Sequence, residues 1–269
     1  MYAVILHAHQ KLDKLARMHL GQLLEAPHSF PSYREIVKFE GQNGPDATKL
    51  KNTPGEEQPW HFYDPYDPED TELLGIIQSH YETLVSALKG DNQVRAAFEA
   101  AWLAHALVDG LTPAHHYPYE EELERLRGGQ SRHTRTTLRS RAIVKGATRR
   151  ESLKKSMELI GPKGLLMNHT TFEGGAYTLI LAMRTRQRSF PTQMILKQVE
   201  REGLVDYFRK RARVIADLRE YERFIEAGWT PALAREVRRQ LIPEMVRMIT
   251  VAWYLAAKEA NHKNGVHLK

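Results

Sequence analysis

At 269 residues, with 42% hydrophobic and 27% charged residues, the chain can bury a full core in one large domain or two modest ones. It contains no cysteine, which excludes disulfides, Cys-based zinc fingers and Cys-ligated iron–sulfur centres, so any metal must sit on His, Asp, Glu or backbone groups. The formal net charge of +6 is uneven: between 125 and 155 eleven Lys/Arg face one acidic residue, Glu151, a block suited to phosphate in nucleic acid or at an anionic membrane surface, or to simple solvation.

The opening MYAVILHAHQKLDKLARMH has an apolar run too short and too interrupted by histidine for a secretory signal. With no stretch approaching twenty apolar residues, no transmembrane segment is expected, and the expected location is cytoplasmic. Ile5, Leu12, Ala16, Leu20 and Leu23 give residues 3 to about 25 one apolar face beside His9, which predicts a helix. A short helix follows within 28–39. Residues 41–70 carry five prolines and three glycines and read as a long structured loop around His61 and its aromatic neighbours. The spacing of Leu73, Ile76, Ile77, Leu84 and Leu88 predicts a second long helix over 72–89.

The stretch 91–120 dominates the chain. Val94, Ala97, Phe98, Ala101, Trp102 and His105 recur at helical spacing, and Gly110 and Pro113 stop the helix. His105 and Asp109 are one turn apart, with His115 just beyond the helix end, an array with the chemistry and reach for a divalent metal. Further on, His169 and Glu173 repeat the four-residue spacing. The basic segment 125–155 has few large apolar residues and the pair Gly128–Gly129, so it reads as mobile or as a loosely docked helix. After Pro191, helices are predicted over 194–216, 218–225 and 231 to about 260. No strand alternation is present, so the expected fold class is all-α, a helical bundle with long functional loops.

Thirteen histidines yield many chance pairs, and a lone histidine on an apolar face is more often a core or surface residue than a ligand. That ordinary reading fits His19, His28, His80, His262 and His267, while His133 belongs to the basic block. His9, His61, His105, Asp109, His115, His169 and Glu173 form the candidate metal set. His7 rivals His9, and His116 rivals His115. Trp60, Phe62, Tyr63 and Tyr66 around His61 either shape a pocket or anchor the loop.

Three segments carry a family likeness. His105-Ala-Leu-Val-Asp109-Gly-Leu-Thr-Pro113-Ala-His115 resembles the metal motif of the zinc-dependent phospholipase C and P1/S1 nuclease superfamily. Pro59-Trp-His61-Phe-Tyr-Asp64-Pro65 resembles a segment of its bacterial phospholipase C branch, and His169-Thr-Thr-Phe-Glu173 resembles the downstream His-x3-Glu pair. The resemblance implies a helical bundle of that type with a zinc cluster of two or three ions. It assigns His61, His105 and Asp109 to one ion, His115, His169 and Glu173 to a second, and His9 with a bridging Asp109 to a third. Asp46 takes the place of a further acidic residue, a proposed base or water-orienting group, so Asp46 and Asp109 are the expected catalytic carboxylates.

The chain departs from the family pattern at its start, Met1-Tyr2, where the secreted relatives present an amino-terminal tryptophan to the third ion. It also departs in a basic insert of about 122–158 and in a helical extension after the last motif. The expected organisation is a metal-binding helical domain over 1–175, insert included, with an extension over 176–269 packing on the same domain. The expected function is hydrolysis of a phosphate-ester small molecule or phospholipid headgroup through metal-activated water, most nearly that of a phospholipase C. A nuclease or nucleotide phosphoesterase is the second reading. A non-catalytic helical scaffold or nucleic-acid-binding protein is the third.

Overall fold

The structure is a computed structural model describing residues 2–50, 60–130, 144–183 and 189–262. Those residues form helices and turns, with no strand among them. At the centre lies α5 (Gln93–Leu111), which begins where the Asn92 side chain accepts the Arg95 N–H at 3.1 Å. From Ala96 onward nearly every side chain of α5 is buried, including Ala96, Ala97, Ala100, Ala101, Ala104 and Ala106. These small residues let other helices approach from several sides. α4 (Glu72–Lys89) packs along α5 and buries Leu73, Leu74, Ile77, Tyr81, Leu84 and Val85. α13 (Leu241–His262) lies against both, fixed by the fully buried Trp253, whose indole N–H donates to the Ala100 carbonyl at 3.1 Å. α1 (Tyr2–Leu23) packs on α13 and on α8 (Leu165–Ala182), so α1, α5 and α8 present one face each to a shared interior.

Several expected boundaries shift for local reasons. The 28–39 region holds α2 (Tyr33–Ile36), opened by a capping box between Ser32 and Glu35, with short 3₁₀ turns on either side. The stretch read as a loop over 41–70 contains a 3₁₀ turn at Gly41–Asn43 and a helix, α3 (Pro45–Leu50). Pro45 accounts for α3, because proline is favoured at a first helical position, where its missing N–H costs no bond. The helix expected over 194–216 breaks into α9 (Gln193–Glu202) and α10 (Leu204–Ala216) at Gly203, whose φ of 81° no side-chain-bearing residue adopts cheaply. The last predicted helix also splits, into α12 (Pro231–Arg239) and α13, because Pro243 has no N–H to donate and its ring crowds the carbonyl one turn earlier. Between α10 and α12 lies α11 (Glu220–Ala227).

α8 runs without interruption across the expected boundary at 175/176, and helices from both parts of the chain share one apolar core. A second, smaller core gathers Leu123 and Leu126 of α6 (Tyr119–Leu126), Val144, Leu159 of α7 (Arg149–Ile160), and the partly buried Tyr119, Leu165 and Leu166. The end of the basic segment is therefore a docked helix, while Arg139, Arg141 and the rest of 131–143 lie outside the described residues.

Two positions yield stability predictions. A Cβ on Gly175 would stand 2.1 Å from the Trp229 indole nitrogen, and Trp229 stacks on Phe172 in the helix that carries His169. Gly175→Ala should therefore cost about 1–3 kcal/mol in chemical denaturation and expose Trp229 fluorescence to water. Glu220 is fully buried, neither of its carboxylate oxygens has a hydrogen-bond partner, and the nearby Arg223 guanidinium is gripped by Glu236 at 3.2 and 2.8 Å. Burial, then Glu236, push the Glu220 carboxyl up to about 8, against a lowering by Arg223. Its folded value is raised, so the stability that it contributes is complete below the ordinary 4.5 and is lost as pH rises through about 8. Glu220→Gln should flatten that decline, an effect on the order of a few kcal/mol readable as melting temperature against pH.

Candidate metal centre

Four parts of the chain meet around one buried carboxylate. Asp109 sits in the last turn of α5, 2% exposed, and four imidazoles surround it. His61 Nδ1 is hydrogen-bonded to Asp109 Oδ2, and His105 Nε2 lies 3.3 Å from the same oxygen. Oδ1 is 3.8 Å from His115 Nδ1 and 4.0 Å from His9 Nε2. The rings form a continuous row: His9 stacks on His105 at 4.1 Å between centroids, His105 is 5.7 Å from His61, His61 is 6.2 Å from His115, and His115 stacks on His169 at 5.1 Å.

Local structure explains each placement. The turn of α8 that separates His169 from Glu173 puts both on one face, with His169 Nε2 3.4 Å from Glu173 Oε1. His115 ends the 3₁₀ turn at Pro113–His115, donates from Nδ1 to the Asp109 carbonyl at 3.1 Å, and holds Nε2 2.9 Å from Glu173 Oε1. The His61 segment is stitched alongside by the Tyr63 N–H, which donates to the His115 carbonyl at 3.1 Å. α3 brings Asp46 to the other end of the row, its Oδ1 3.8 Å from His105 Nε2.

Three sets of donor atoms result, each within 4.8 Å of one another: His9, Asp46 and His105; His61, His105 and Asp109; His115, His169 and Glu173. Every residue of the expected set, Asp46 included, is thus brought to one place. The rivals are not. His7 is exposed, whereas His116 turns away to donate from Nε2 to the Gly110 carbonyl at 2.9 Å, and burial pushes its pKa down to about 4. His19 bonds Ser189 at 2.8 Å and His80 bonds Glu99 at 2.6 Å, the ordinary reading expected of them. His133 and His267 lie outside the described residues, as do the side chains of His28 and His262.

The electrostatics are those of buried, mutually compensating groups that could hold a cation. Burial opposes ionisation of Asp109, yet His105, His115 and His61 hold its carboxyl well below the ordinary range. Glu173 is likewise lowered against its own burial, by His169 and His115. Burial lowers His9, reinforced by His105, whereas in His105 the carboxylates of Asp109 and Asp46 overcome burial and raise it well above normal. His9 Nε2, both ring nitrogens of His105, and His169 Nδ1 are buried and have no hydrogen-bond partner of proper geometry. Buried nitrogens aimed among carboxylates without partners are costly in a metal-free protein, by about 1–3 kcal/mol each, and are what imidazole ligation of a divalent ion satisfies.

The aromatic residues around His61 divide. Phe62 lies against His115, His169 and Tyr119 at 5.3, 6.0 and 5.5 Å, and Trp60 abuts Phe62 at 5.4 Å. Tyr63 packs instead on Phe208 at 5.7 Å, and Tyr66 is clasped by Arg213 at 3.6 Å while its hydroxyl donates to Asp217 at 2.8 Å. Phe62 lines the histidine row with Trp60 behind it; the other two anchor the segment.

Three further residues belong to the site. Glu40 is buried with Oε2 3.7 Å from His105 Nδ1, in reach to orient that ring. Asp13 is buried beside Glu40, and burial and the Glu40 charge push its carboxyl well up. Tyr177 is buried 5.8 Å from His9, one turn beyond Glu173. Asp13 stands four residues after His9, the spacing of both other His–acid pairs, a signal present in the sequence. Glu40 precedes Gly41 at a turn and has no such mark.

Comparison with protein-family models, curated proteins and solved structures finds no match to this chain.

Proposed function

We propose that the chain is a hydrolase of phosphoric esters that works with two or three divalent ions, zinc being the ion best suited to its His and carboxylate donors. The observation that carries this reading is the position of Asp109, one buried carboxylate in reach of four imidazoles that belong to adjoining donor sets. A lone structural ion needs one closed set of about four ligands. Adjoining sets gathered around one carboxylate, two of them sharing His105, suit a pair or trio of ions acting on one substrate.

In this reading His61, His105 and Asp109 hold one ion, His115, His169 and Glu173 another, and His9 with Asp109 or Asp46 a third. Bound ions of this kind supply a water acidic enough to ionise near neutral pH and neutralise charge on a phosphoryl group. Asp46, more accessible than Asp109, is the carboxylate available to orient that water or take its proton. Asp109 stays ionised and holds the imidazoles in register. Glu40 steadies His105 from behind, while Phe62 and Trp60 offer an apolar wall to an acyl chain or a base.

A phospholipase C-like diesterase is the favoured substrate class, on the likeness of the His61 segment. The second reading, a nuclease or nucleotide phosphoesterase, draws on the basic block between 125 and 155.

Protein purified without chelator should carry about two or more zinc equivalents, and chelation should abolish hydrolysis of a chromogenic phosphodiester until zinc is restored. Asp109→Asn should lower that hydrolysis at least roughly 10–100-fold with an unchanged far-ultraviolet spectrum. Metal-free protein of full stability, or unaltered hydrolysis by Asp109→Asn, would refute the assignment. Full metal loading with no turnover of any phosphoric ester would point to the scaffold reading instead.

A further inference from the structure

The large apolar side chains that α7 exposes are not scattered. Leu153, Met157 and Ile160 are 66, 53 and 53% exposed and stand at i, i+4 and i+7, within an arc of about 60° on the helix. Met167, 40% exposed, lies just beyond on the first turn of α8. α7 is held down on the opposite side by Leu159, in the small core shared with Leu123, Leu126, Val144, Leu165 and Leu166. Its outward stripe is therefore surplus to the fold, and apolar area of this kind on a surface marks a contact.

Charge says with what. Arg149, Arg150 and Lys154 flank the stripe by helical position, and Lys145 and Lys163 lie near its two ends, all exposed. The two acids of α7, Glu151 and Glu158, fall on the far side of the helix from the stripe. Glu151 is paired with Lys155 at 3.1 Å, and Glu158 reaches Lys154 and Arg125 at 3.9 Å each. A polyanion such as nucleic acid would use the cations and leave Leu153, Met157 and Ile160 in water. A second protein would need an apolar groove rimmed by acids to match both features. A bilayer with anionic headgroups satisfies both, the cations meeting phosphate and carboxylate while the stripe enters the headgroup–acyl boundary.

We infer that α7 and the first turn of α8 form an interfacial docking surface for an anionic phospholipid bilayer. The surface is coupled to the metal centre through Tyr119, which belongs to the small core and whose ring lies 4.9 Å from His169. That lipid is also the substrate rests on the phosphoric-ester reading; the docking itself does not.

The test is co-sedimentation of the full chain with phosphatidylcholine vesicles containing or lacking phosphatidylserine, at low and high salt. Wild-type protein should bind the phosphatidylserine vesicles and lose affinity as salt rises. Leu153→Glu/Met157→Glu should bind at least about tenfold more weakly, with unchanged melting temperature and unchanged hydrolysis of a soluble chromogenic phosphodiester. Leu153→Ala/Met157→Ala, which adds no charge, should fall between the two. Equal binding by all three proteins, or wild-type binding to duplex DNA with none to either vesicle, overturns the proposal. Vesicle binding by a protein that hydrolyses no phosphoric ester would leave the docking surface standing and remove the activity, and hydrolysis without vesicle binding would do the reverse.

Discussion

A carboxylate sealed inside a helical bundle survives as an anion only if its surroundings compensate it, and Asp109 is the point on which this structure turns. Burial disfavours its charge, and imidazoles from α5, the His61 segment and the turn at His115 restore it. The dependence is mutual, because the same carboxylate raises His105 against the burial of that ring. Removing a partner from such a network leaves an uncompensated charge, which is costlier than never having buried the pair. A bundle of this size needs no ionic cluster to gain stability, so a network of this kind fits the divalent ions proposed for this centre.

The scaffold serves that placement through small residues. Alanines along α5 allow α4 and α13 to close around it, and at Gly110 there is no room for a methyl group between Phe208 and Leu73, whose atoms would stand 2.5 and 2.6 Å away. Gly175 does the same for α8 against Trp229. Close packing near both ends of the cluster keeps α5 and α8 from sliding, and with them the two His–acid pairs that must face each other.

Much of this is readable from residue order. The long helices follow from their apolar spacing, and the ligand-type residues follow from two His–acid pairs at four-residue separation together with the histidines at element ends. Less local features escape. Gly203 and Pro243 break predicted helices where left-handed backbone and a missing donor outweigh continuous apolar spacing. α3 hides in a stretch rich in turn residues, because its first-turn proline reads equally as loop punctuation. Glu40 enters the centre through tertiary packing alone, and a carboxylate beside a glycine at a turn has no period to betray it. The exposed stripe of α7 is invisible in sequence for the opposite reason, since an apolar residue at helical spacing reads as core until the partner helix proves to lie on the other side.

His9 with Asp13, His105 with Asp109 and His169 with Glu173 repeat one spacing on three separate helices that converge on a common interior. Each helix is thereby committed to a fixed phase. One inserted or deleted residue between a histidine and its acid would turn the two apart by about 100° and unseat one from the centre. Such a chain can change length at its surface while these three short spans stay closed to any change in length.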